Sequence, residues 1–124
     1  MRILLIDDDR DLCHLTTVAL IRHGHKVSAF QNAEVGINHA RNFKPELILL
    51  DIMLPGTSGA EVAKMLKADK EFKGIPIIFL SALVGSGEKG LEETGLIIDG
   101  VQYEILGKPY EIEKLIEAVG KHAR

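Results

Sequence analysis

The chain contains the stretch Leu47-Ile48-Leu49-Leu50-Asp51, an uninterrupted apolar run that ends in a carboxylate. A run of this length without polar alternation is typical of a parallel strand that is buried on both faces. Pro55 follows soon after and cannot continue a sheet, because proline has no N–H to donate. We therefore predict an interior strand, with the Asp51 side chain exposed at the rim of the sheet.

Four more short segments have the character of strands, and longer amphipathic stretches separate them. The predicted strands are residues 3–7, 26–30, 47–51, 76–81 and 103–106. This alternation is typical of repeated βα units, which build an α/β fold around a parallel sheet. Residues 26–30 and 103–106 alternate apolar and polar side chains, so we predict these two strands at the edges of the sheet.

The amphipathic stretches predict helices. They cover residues 9–23 and 32–42, with two further helices that begin near Ser58 and Pro109. Helical spacing places Leu15 on the inward face of the first helix and Met65 on the inward face of the third.

Residues 82–100 fit a long helix poorly. Four glycines lie between residues 85 and 95, and each costs a helix about 1 kcal/mol relative to alanine. We predict at most a short helix, over residues 88–94. Asp99-Gly100 separates two apolar runs and is a strong signal for a two-residue hairpin. A β-hairpin or loop is therefore expected in part of the space that a full fourth helix would fill.

The composition predicts one globular domain over residues 1–124. The chain is 46% hydrophobic and 27% charged, with a net charge of -3, so no overall basic field favours nucleic acid or an anionic membrane. The single cysteine, Cys13, cannot form an internal disulfide, which is expected in a reducing compartment. No apolar stretch is long enough to cross a bilayer. We therefore expect a soluble, cytoplasmic domain.

Three carboxylates are predicted to meet at one rim of the sheet. Asp7 and Asp8 follow the first strand and Asp51 ends the third, and open α/β sheets carry their sites at the carboxyl ends of their strands. An all-oxygen cluster suits a hard divalent cation such as Mg²⁺. The alternative is that Asp8 or Asp9 caps the first helix, where a carboxylate is also favourable.

Two further polar side chains, Ser81 and Lys108, follow the next strands to the same rim. A carboxylate such as Asp51 can act as a nucleophile toward phosphorus when a metal neutralises the incoming oxygens. Lys108 would offer those oxygens a positive charge and Ser81 a hydroxyl. Either residue alone has an ordinary surface or strand-end explanation. Their joint placement at successive strand ends favours a phosphoryl acceptor built around Asp51.

Several pieces of this sequence, in this order, resemble the receiver domain of two-component response regulators. They are Ile-Leu-Leu-Ile-Asp7-Asp8-Asp9, Leu-Ile-Leu-Leu-Asp51, Met53-Leu-Pro55-Gly56 with Gly59, Ile-Phe-Leu-Ser81-Ala82, and Gly107-Lys108-Pro109. The resemblance covers essentially the full chain. It implies a doubly wound, flavodoxin-like fold with a five-stranded parallel sheet in the order 2-1-3-4-5 and helices on both faces. The fourth helix would be short or partly replaced by the hairpin.

The resemblance also implies a role for each rim residue. The implied Mg²⁺ ligands are Asp7, directly or through water, Asp8, Asp51 and the backbone carbonyl of Met53. Asp51 would accept a phosphoryl group from a histidine kinase or a phosphotransfer protein, and Ser81 and Lys108 would hold its oxygens. Such a domain is a signalling receiver rather than an enzyme, although it assists its own phosphorylation and dephosphorylation. It would act on a downstream protein partner or an output domain, without contacting nucleic acid or membrane itself.

The chain departs from the family pattern at Ile105, where members commonly carry a Tyr or Phe three residues before the lysine. Tyr103 lies two residues earlier, on the same face of a regular strand but farther from Ser81. We therefore expect the phosphoryl chemistry to be kept and its readout to differ.

Three other functions fit the sequence less well. A Mg²⁺-dependent aspartyl phosphatase typically has a second acid two residues after its nucleophile, where this chain has Met53. A nucleotide- or flavin-binding domain needs a phosphate-cradling loop after the first strand, where this chain has three acids. A scaffold that is never phosphorylated would not need the complete set of acids, serine and lysine.

Overall fold

A computed structural model describes residues 1–82 and 96–123 of the chain. Strands and helices alternate along most of it, as expected of an α/β protein. In chain order the elements are β1 (Arg2–Ile6), α1 (Arg10–Arg22), β2 (Lys26–Phe30), α2 (Ala33–Phe43), β3 (Leu47–Asp51), β4 (Met53–Leu54), β5 (Thr57–Ser58), α3 (Gly59–Ala68), β6 (Ile77–Ser81), β7 (Leu96–Ile98), β8 (Val101–Gly107) and α4 (Ile112–Gly120).

The main sheet has the strand order β2-β1-β3-β6-β8-β7. Its first five members are parallel and reproduce the predicted order 2-1-3-4-5, so the doubly wound α/β fold is confirmed. β7 adds a sixth strand, antiparallel to β8. The strand at residues 26–30 is therefore an edge strand as predicted. The prediction that residues 103–106 form the other edge is wrong, because β7 pairs with β8 on that side.

Alternate side chains of each interior strand enter two separate cores, one on each face of the sheet. In β1, Leu4 and Ile6 pack in a cluster with α2 and α3, whereas Ile3 and Leu5 pack in a cluster with α1 and α4. All four side chains are buried. Burial on both faces explains why the sequences of the interior strands are continuous apolar runs.

Polar N-caps begin three of the helices. The side chains of Asp9, Asn32 and Ser58 accept hydrogen bonds from the backbone N–H groups of Leu12, Val35 and Glu61, respectively. Each cap satisfies one of the N–H groups that the first turn of a helix leaves without a partner. The helix-cap interpretation is therefore correct for Asp9, and Asp8 remains available to the rim.

Two side chains that were predicted to face inward are exposed instead. Leu15 is 61% and Met65 is 59% exposed. The buried stripe of α1 runs through Cys13, Thr16 and Leu20, so the small polar Thr16 occupies the inward position that apolar patterning assigned to a leucine. The last helix also begins later than predicted, at Ile112.

The predicted hairpin around Asp99-Gly100 is confirmed. β7 and β8 pair in antiparallel register, with Ile98 opposite Val101. Asp99 and Gly100 between them both have positive φ, 50° and 79°, which a two-residue type I′ turn requires. The predicted short helix at residues 88–94 lies outside the described residues.

Across residues 1–82 and 96–123, no helix is both long enough and apolar enough to span a bilayer.

Candidate functional site

The carboxyl ends of four parallel strands bring the predicted rim residues together. Asp7 follows β1, Asp51 ends β3, Ser81 ends β6, and Lys108 follows β8. Strand register aligns these ends, since Asp51 pairs with Leu80 and Ser81 pairs with Gly107. The Lys108 backbone N–H also donates to the carbonyl oxygen of Ser81 at 2.8 Å. The rim that the sequence predicted is therefore one continuous site.

Three carboxylates form an oxygen cluster at this rim. Asp7, Asp8 and Asp51 each place one carboxylate oxygen within 4.8 Å of the others. Asp7 and Asp51 are buried, and Asp8 is exposed. Burial of Asp51 overturns the prediction that its side chain is exposed at the rim. The reason is that its carboxylate is enclosed by hydrogen-bonding and charged partners rather than by water.

Backbone N–H groups orient the two buried carboxylates. Asp7 Oδ1 accepts from the Asp9 N–H at 3.0 Å, and Asp51 Oδ1 accepts from the Met53 N–H at 3.1 Å. In each case the donor lies two residues after the carboxylate, where the chain turns away from the strand. The Met53 side chain is exposed, so this residue contributes to the site through its backbone.

Lys108 bridges the two buried carboxylates. Its Nζ lies 2.7 Å from Asp7 Oδ2 and 2.9 Å from Asp51 Oδ2. The bond to Asp51 has hydrogen-bond geometry, whereas Asp7 Oδ2 is fully buried without a hydrogen bond and contacts the ammonium as an ion pair. The Lys108-Pro109 peptide is cis. One ammonium group therefore compensates the charge of two carboxylates that are removed from water.

Burial and neighbouring charges shift the pKa values of the rim residues in opposite directions. Burial raises the pKa of the Asp51 carboxyl, and the hydrogen bond from Lys108 opposes that rise without cancelling it. Burial lowers the pKa of Lys108, but its two carboxylate partners outweigh burial and the pKa is raised overall. The site therefore favours a charged lysine and leaves Asp51 incompletely compensated.

A tight turn and a glycine shape the loop that follows Asp51. β4 and β5 pair on either side of Pro55-Gly56, and Gly56 has φ 77°, as the third position of a type II turn requires. A Cβ on the buried Gly59 would collide with the Asp51 carbonyl oxygen and would stand 2.8 Å from the Ile52 Cα. The Asp51 backbone and the start of α3 can therefore lie this close only with glycine at residue 59.

Polar side chains behind the rim make hydrogen bonds that the sequence did not predict. The Cys13 Sγ donates to the Asp7 carbonyl oxygen at 3.2 Å, and the hydroxyl of Thr16 is hydrogen-bonded to that of Tyr110. Burial raises the pKa of the Cys13 thiol to about 11 and that of the Tyr110 hydroxyl to about 12. The available signal was the spacing of Cys13 and Thr16, which places both on one face of α1.

Tyr103 lies away from the rim, as its position in the sequence predicted. Gly107 is the residue of β8 that pairs with Ser81, so Tyr103 lies four positions earlier along the strand. Its ring packs edge-on against Phe79 at 5.3 Å between centroids, and Lys67 Nζ lies 5.8 Å from its centroid. Tyr103 is therefore a buried core residue on the face of α2 and α3.

Known proteins share both the sequence pattern and the fold. A family model for the response regulator receiver domain matches residues 3–120. The DNA-binding response regulator MtrA of Mycobacterium tuberculosis is 32% identical over 123 residues, which are 99% of this chain and 50% of MtrA. The phosphate regulon transcriptional regulatory protein PhoB of Pseudomonas aeruginosa is 37% identical over 114 residues, which are 92% of this chain and 48% of PhoB. The chain thus spans about half the length of these relatives.

A solved structure confirms the fold. The BeF3-activated receiver domain of RstA from Klebsiella pneumoniae superimposes with a TM-score of 0.79 at 24% identity, covering 100% of this chain and 99% of that one. The oxygen cluster at the rim is also of a kind that could hold a metal ion. With a family match over nearly its whole length, the chain belongs to the response regulator receiver domains of two-component systems.

Proposed function

We propose that this chain is a phosphoacceptor domain in which Asp51 takes a phosphoryl group from the phosphohistidine of a histidine kinase or phosphotransfer protein. The observation that carries the proposal is the placement of Asp51, which is buried at the rim beside Asp7 and only 2.9 Å from Lys108 Nζ. A carboxylate that is partly compensated and close to a fixed ammonium is prepared to become an acyl phosphate.

The donor set fits Mg²⁺. Asp7, Asp8 and Asp51 supply only oxygen, the ligand that Mg²⁺ prefers, and their nearest oxygens already lie within 4.8 Å of one another. We propose these three carboxylates and the Met53 carbonyl as ligands. When bound, the ion would neutralise negative charge on the phosphoryl oxygens.

The chain's own residues account for the remaining requirements of the transfer. A carboxylate oxygen of Asp51 forms the new P–O bond while the P–N bond of the phosphohistidine breaks, and the electron pair of that bond returns to the imidazole. The Asp51 Oδ1 is held by the Met53 N–H, so the carboxylate is oriented before the donor arrives. Lys108 Nζ and the Ser81 hydroxyl are proposed to contact the phosphoryl oxygens, since Ser81 ends β6 and Lys108 follows the neighbouring β8 at the rim.

The proposed consequence is a change in protein contacts. MtrA is described as DNA-binding and PhoB as a transcriptional regulatory protein, and this chain matches about half of each. We infer that phosphorylation of Asp51 acts on a downstream protein or an output domain in the cytoplasm. Because Ile105 replaces the family's aromatic residue near the lysine, the signal would leave the rim by a route other than an aromatic side chain at that position.

The test is incubation with phosphoramidate, a small phosphodonor, and Mg²⁺, followed by intact-mass measurement. We expect a single phosphoryl adduct in the wild type that is labile to base, and none without Mg²⁺. Asp51→Asn should give no adduct, whereas the matched surface variant Asp69→Asn should react like the wild type. An adduct that persists in Asp51→Asn, or a wild type that never reacts, would overturn the proposal.

A further inference from the structure

Tyr110 connects the segment after Lys108 to helix α1. Its hydroxyl is hydrogen-bonded to the Thr16 hydroxyl, and Thr16 is fully buried. The ring is partly buried and packs against the core cluster between the sheet, α1 and α4. Loss of the Tyr110 hydroxyl would leave the hydroxyl of the buried Thr16 without this partner, which is costly away from water.

Helix α1 also contacts Asp7, which forms an ion pair with Lys108. Cys13, one turn before Thr16, donates to the backbone carbonyl of Asp7. The Asp7 carboxylate in turn pairs with Lys108 Nζ, two residues before Tyr110. α1 therefore contacts Asp7 through Cys13 and the lysine segment through Thr16, which closes a ring of contacts behind the rim.

Between β8 and α4 the chain has few other attachments among the described residues. The Lys108 N–H is bonded to the Ser81 carbonyl at the start of this connection. At its far end, Glu111 is the N-cap of α4 but its side chain forms no capping hydrogen bond. The Tyr110 hydroxyl thus supplies a specific polar attachment at the middle of the connection.

We propose that Tyr110 is a positioning residue, whose hydrogen bond to Thr16 fixes the Lys108 segment so that Nζ reaches Asp51. This inference rests on the proposed function only in assigning Lys108 a role in phosphoryl transfer. The lysine ammonium is a point charge at the end of a four-carbon stem of fixed length, so the location of the Lys108 backbone limits where that charge can lie. Loss of the Tyr110 hydroxyl would leave the fold intact, but Lys108 Nζ would be held less firmly beside Asp51.

The first test is a kinetic cycle with phosphoramidate and Mg²⁺. Tyr110→Phe should slow phosphorylation of Asp51 about five-fold to ten-fold, since a misplaced charge stabilises the transition state less. Tyr110→Phe added to Lys108→Met should cause no further loss, because the effect passes through the lysine. Equal losses in both backgrounds would show a general structural effect and overturn the proposal.

Conservative variants separate the hydrogen bond from packing. Thr16→Val should reproduce the slower reaction, whereas Thr16→Ser keeps the hydroxyl and should retain the wild-type rate. Tyr103→Phe is the matched control, because it removes the hydroxyl of a buried tyrosine in β8 that lies outside the ring of contacts. A loss in Tyr103→Phe equal to that in Tyr110→Phe would contradict the specific role of Tyr110.

A second readout does not depend on phosphorylation. The ¹³Cε and ¹⁵Nζ chemical shifts of Lys108, measured without phosphodonor or metal, should move toward those of an exposed lysine in Tyr110→Phe and Thr16→Val. They should stay unchanged in Thr16→Ser and Tyr103→Phe. If the wild type is not phosphorylated but these shifts move, the proposed function fails and the positioning role stands. Unchanged shifts in Tyr110→Phe would overturn the positioning role.

Discussion

The cluster around Lys108 at the rim and the cluster around Arg41 on the surface each place one cation between two carboxylates, and they differ mainly in burial. At the rim, Lys108 Nζ lies 2.7 Å from Asp7 and 2.9 Å from Asp51. On the surface, Arg41 lies 2.9 Å from Asp69 and 3.4 Å from Glu71. The Lys108 side chain is 13% exposed, whereas that of Arg41 is 43% exposed.

The pKa directions show what burial changes. At the surface, the hydrogen bond from Arg41 lowers the pKa of the Asp69 carboxyl. At the rim, burial raises the pKa of Asp51 although the lysine is equally close. Water solvates both partners of the surface cluster, so its charges cost little and contribute little. The rim charges have lost that solvation, and one cation must compensate two anions. Although the distances between cation and carboxylates are similar, the Arg41 cluster is a weak surface contact, whereas the Lys108 cluster is a charged site suited to chemistry.

The largest predicted difference between the clusters concerns their cations. Lys108→Met should lower the free energy of unfolding by about 3–5 kcal/mol, because it leaves two buried carboxylates facing each other without a counterion. Arg41→Met should cause a much smaller loss, since its partners remain in water. Urea unfolding followed by circular dichroism, without divalent metal, measures both values.

Added Mg²⁺ sharpens this first comparison. A cation that binds only the folded state stabilises by mass action, so Mg²⁺ should restore part of the stability of Lys108→Met and leave Arg41→Met unaffected. Equal losses in the two variants would show that burial does not distinguish the clusters.

The next effect concerns how backbone packing holds Asp51 in place. Gly59→Ala should destabilise the protein by about 1–3 kcal/mol, because a new methyl group must push apart the Asp51 carbonyl and the start of α3. It should also slow phosphorylation of Asp51. The matched control beside the surface cluster is Gly74→Ala, since a Cβ there meets nothing within 4 Å.

Thermal unfolding monitored by fluorescence of an added apolar dye compares these glycine variants. Gly74→Ala should keep both stability and phosphorylation rate. A Gly59→Ala protein as stable as the wild type would mean that the backbone at Asp51 can shift to accept the new methyl group. The rim would then be no more rigid than the surface near Gly74.

The rim could be predicted from sequence because parallel strands align their carboxyl ends. Once residues 3–7, 47–51 and 76–81 were assigned as strands, a carboxylate or hydroxyl directly after each run had to reach one edge. The turn at Asp99-Gly100 was predictable for a local reason, because few residue pairs tolerate positive φ at both positions.

Other features depend on side-chain contacts between distant parts of the chain, which a linear pattern does not contain. The sequence gives no sign that Lys108 pairs with both Asp7 and Asp51, or that Asp51 is buried. Leu15 and Met65 were misassigned because apolar residues can occupy exposed helix positions at little cost. The Thr16–Tyr110 hydrogen bond joins residues 94 positions apart and is visible only once α1 packs beside the β8–α4 connection.

The smallest predicted effect has opposite signs at the two clusters and follows from the pKa directions. Asp69 has a lowered folded-state pKa, so its ionised form adds stability above its unfolded pKa, and that stability is lost as pH falls through the folded value. Asp51 has a raised pKa, so its contribution is complete below its unfolded pKa and is lost as pH rises through the folded value. At neutral pH, therefore, ionised Asp69 stabilises the fold and ionised Asp51 destabilises it.

Replacing Asp69 or Asp51 with Asn tests these opposite effects on stability. Asp69→Asn should slightly lower the melting temperature at pH 7, and Asp51→Asn should raise it, because Lys108 then has one buried carboxylate to compensate instead of two. Both differences from the wild type should disappear at a pH below the ordinary range of aspartate, where the wild-type carboxyls are protonated. Melting curves of the three proteins across acid to neutral pH provide the test. A lower melting temperature for Asp51→Asn at pH 7 would mean that Lys108 fully compensates both carboxylates, and burial would then not separate the rim from the surface cluster.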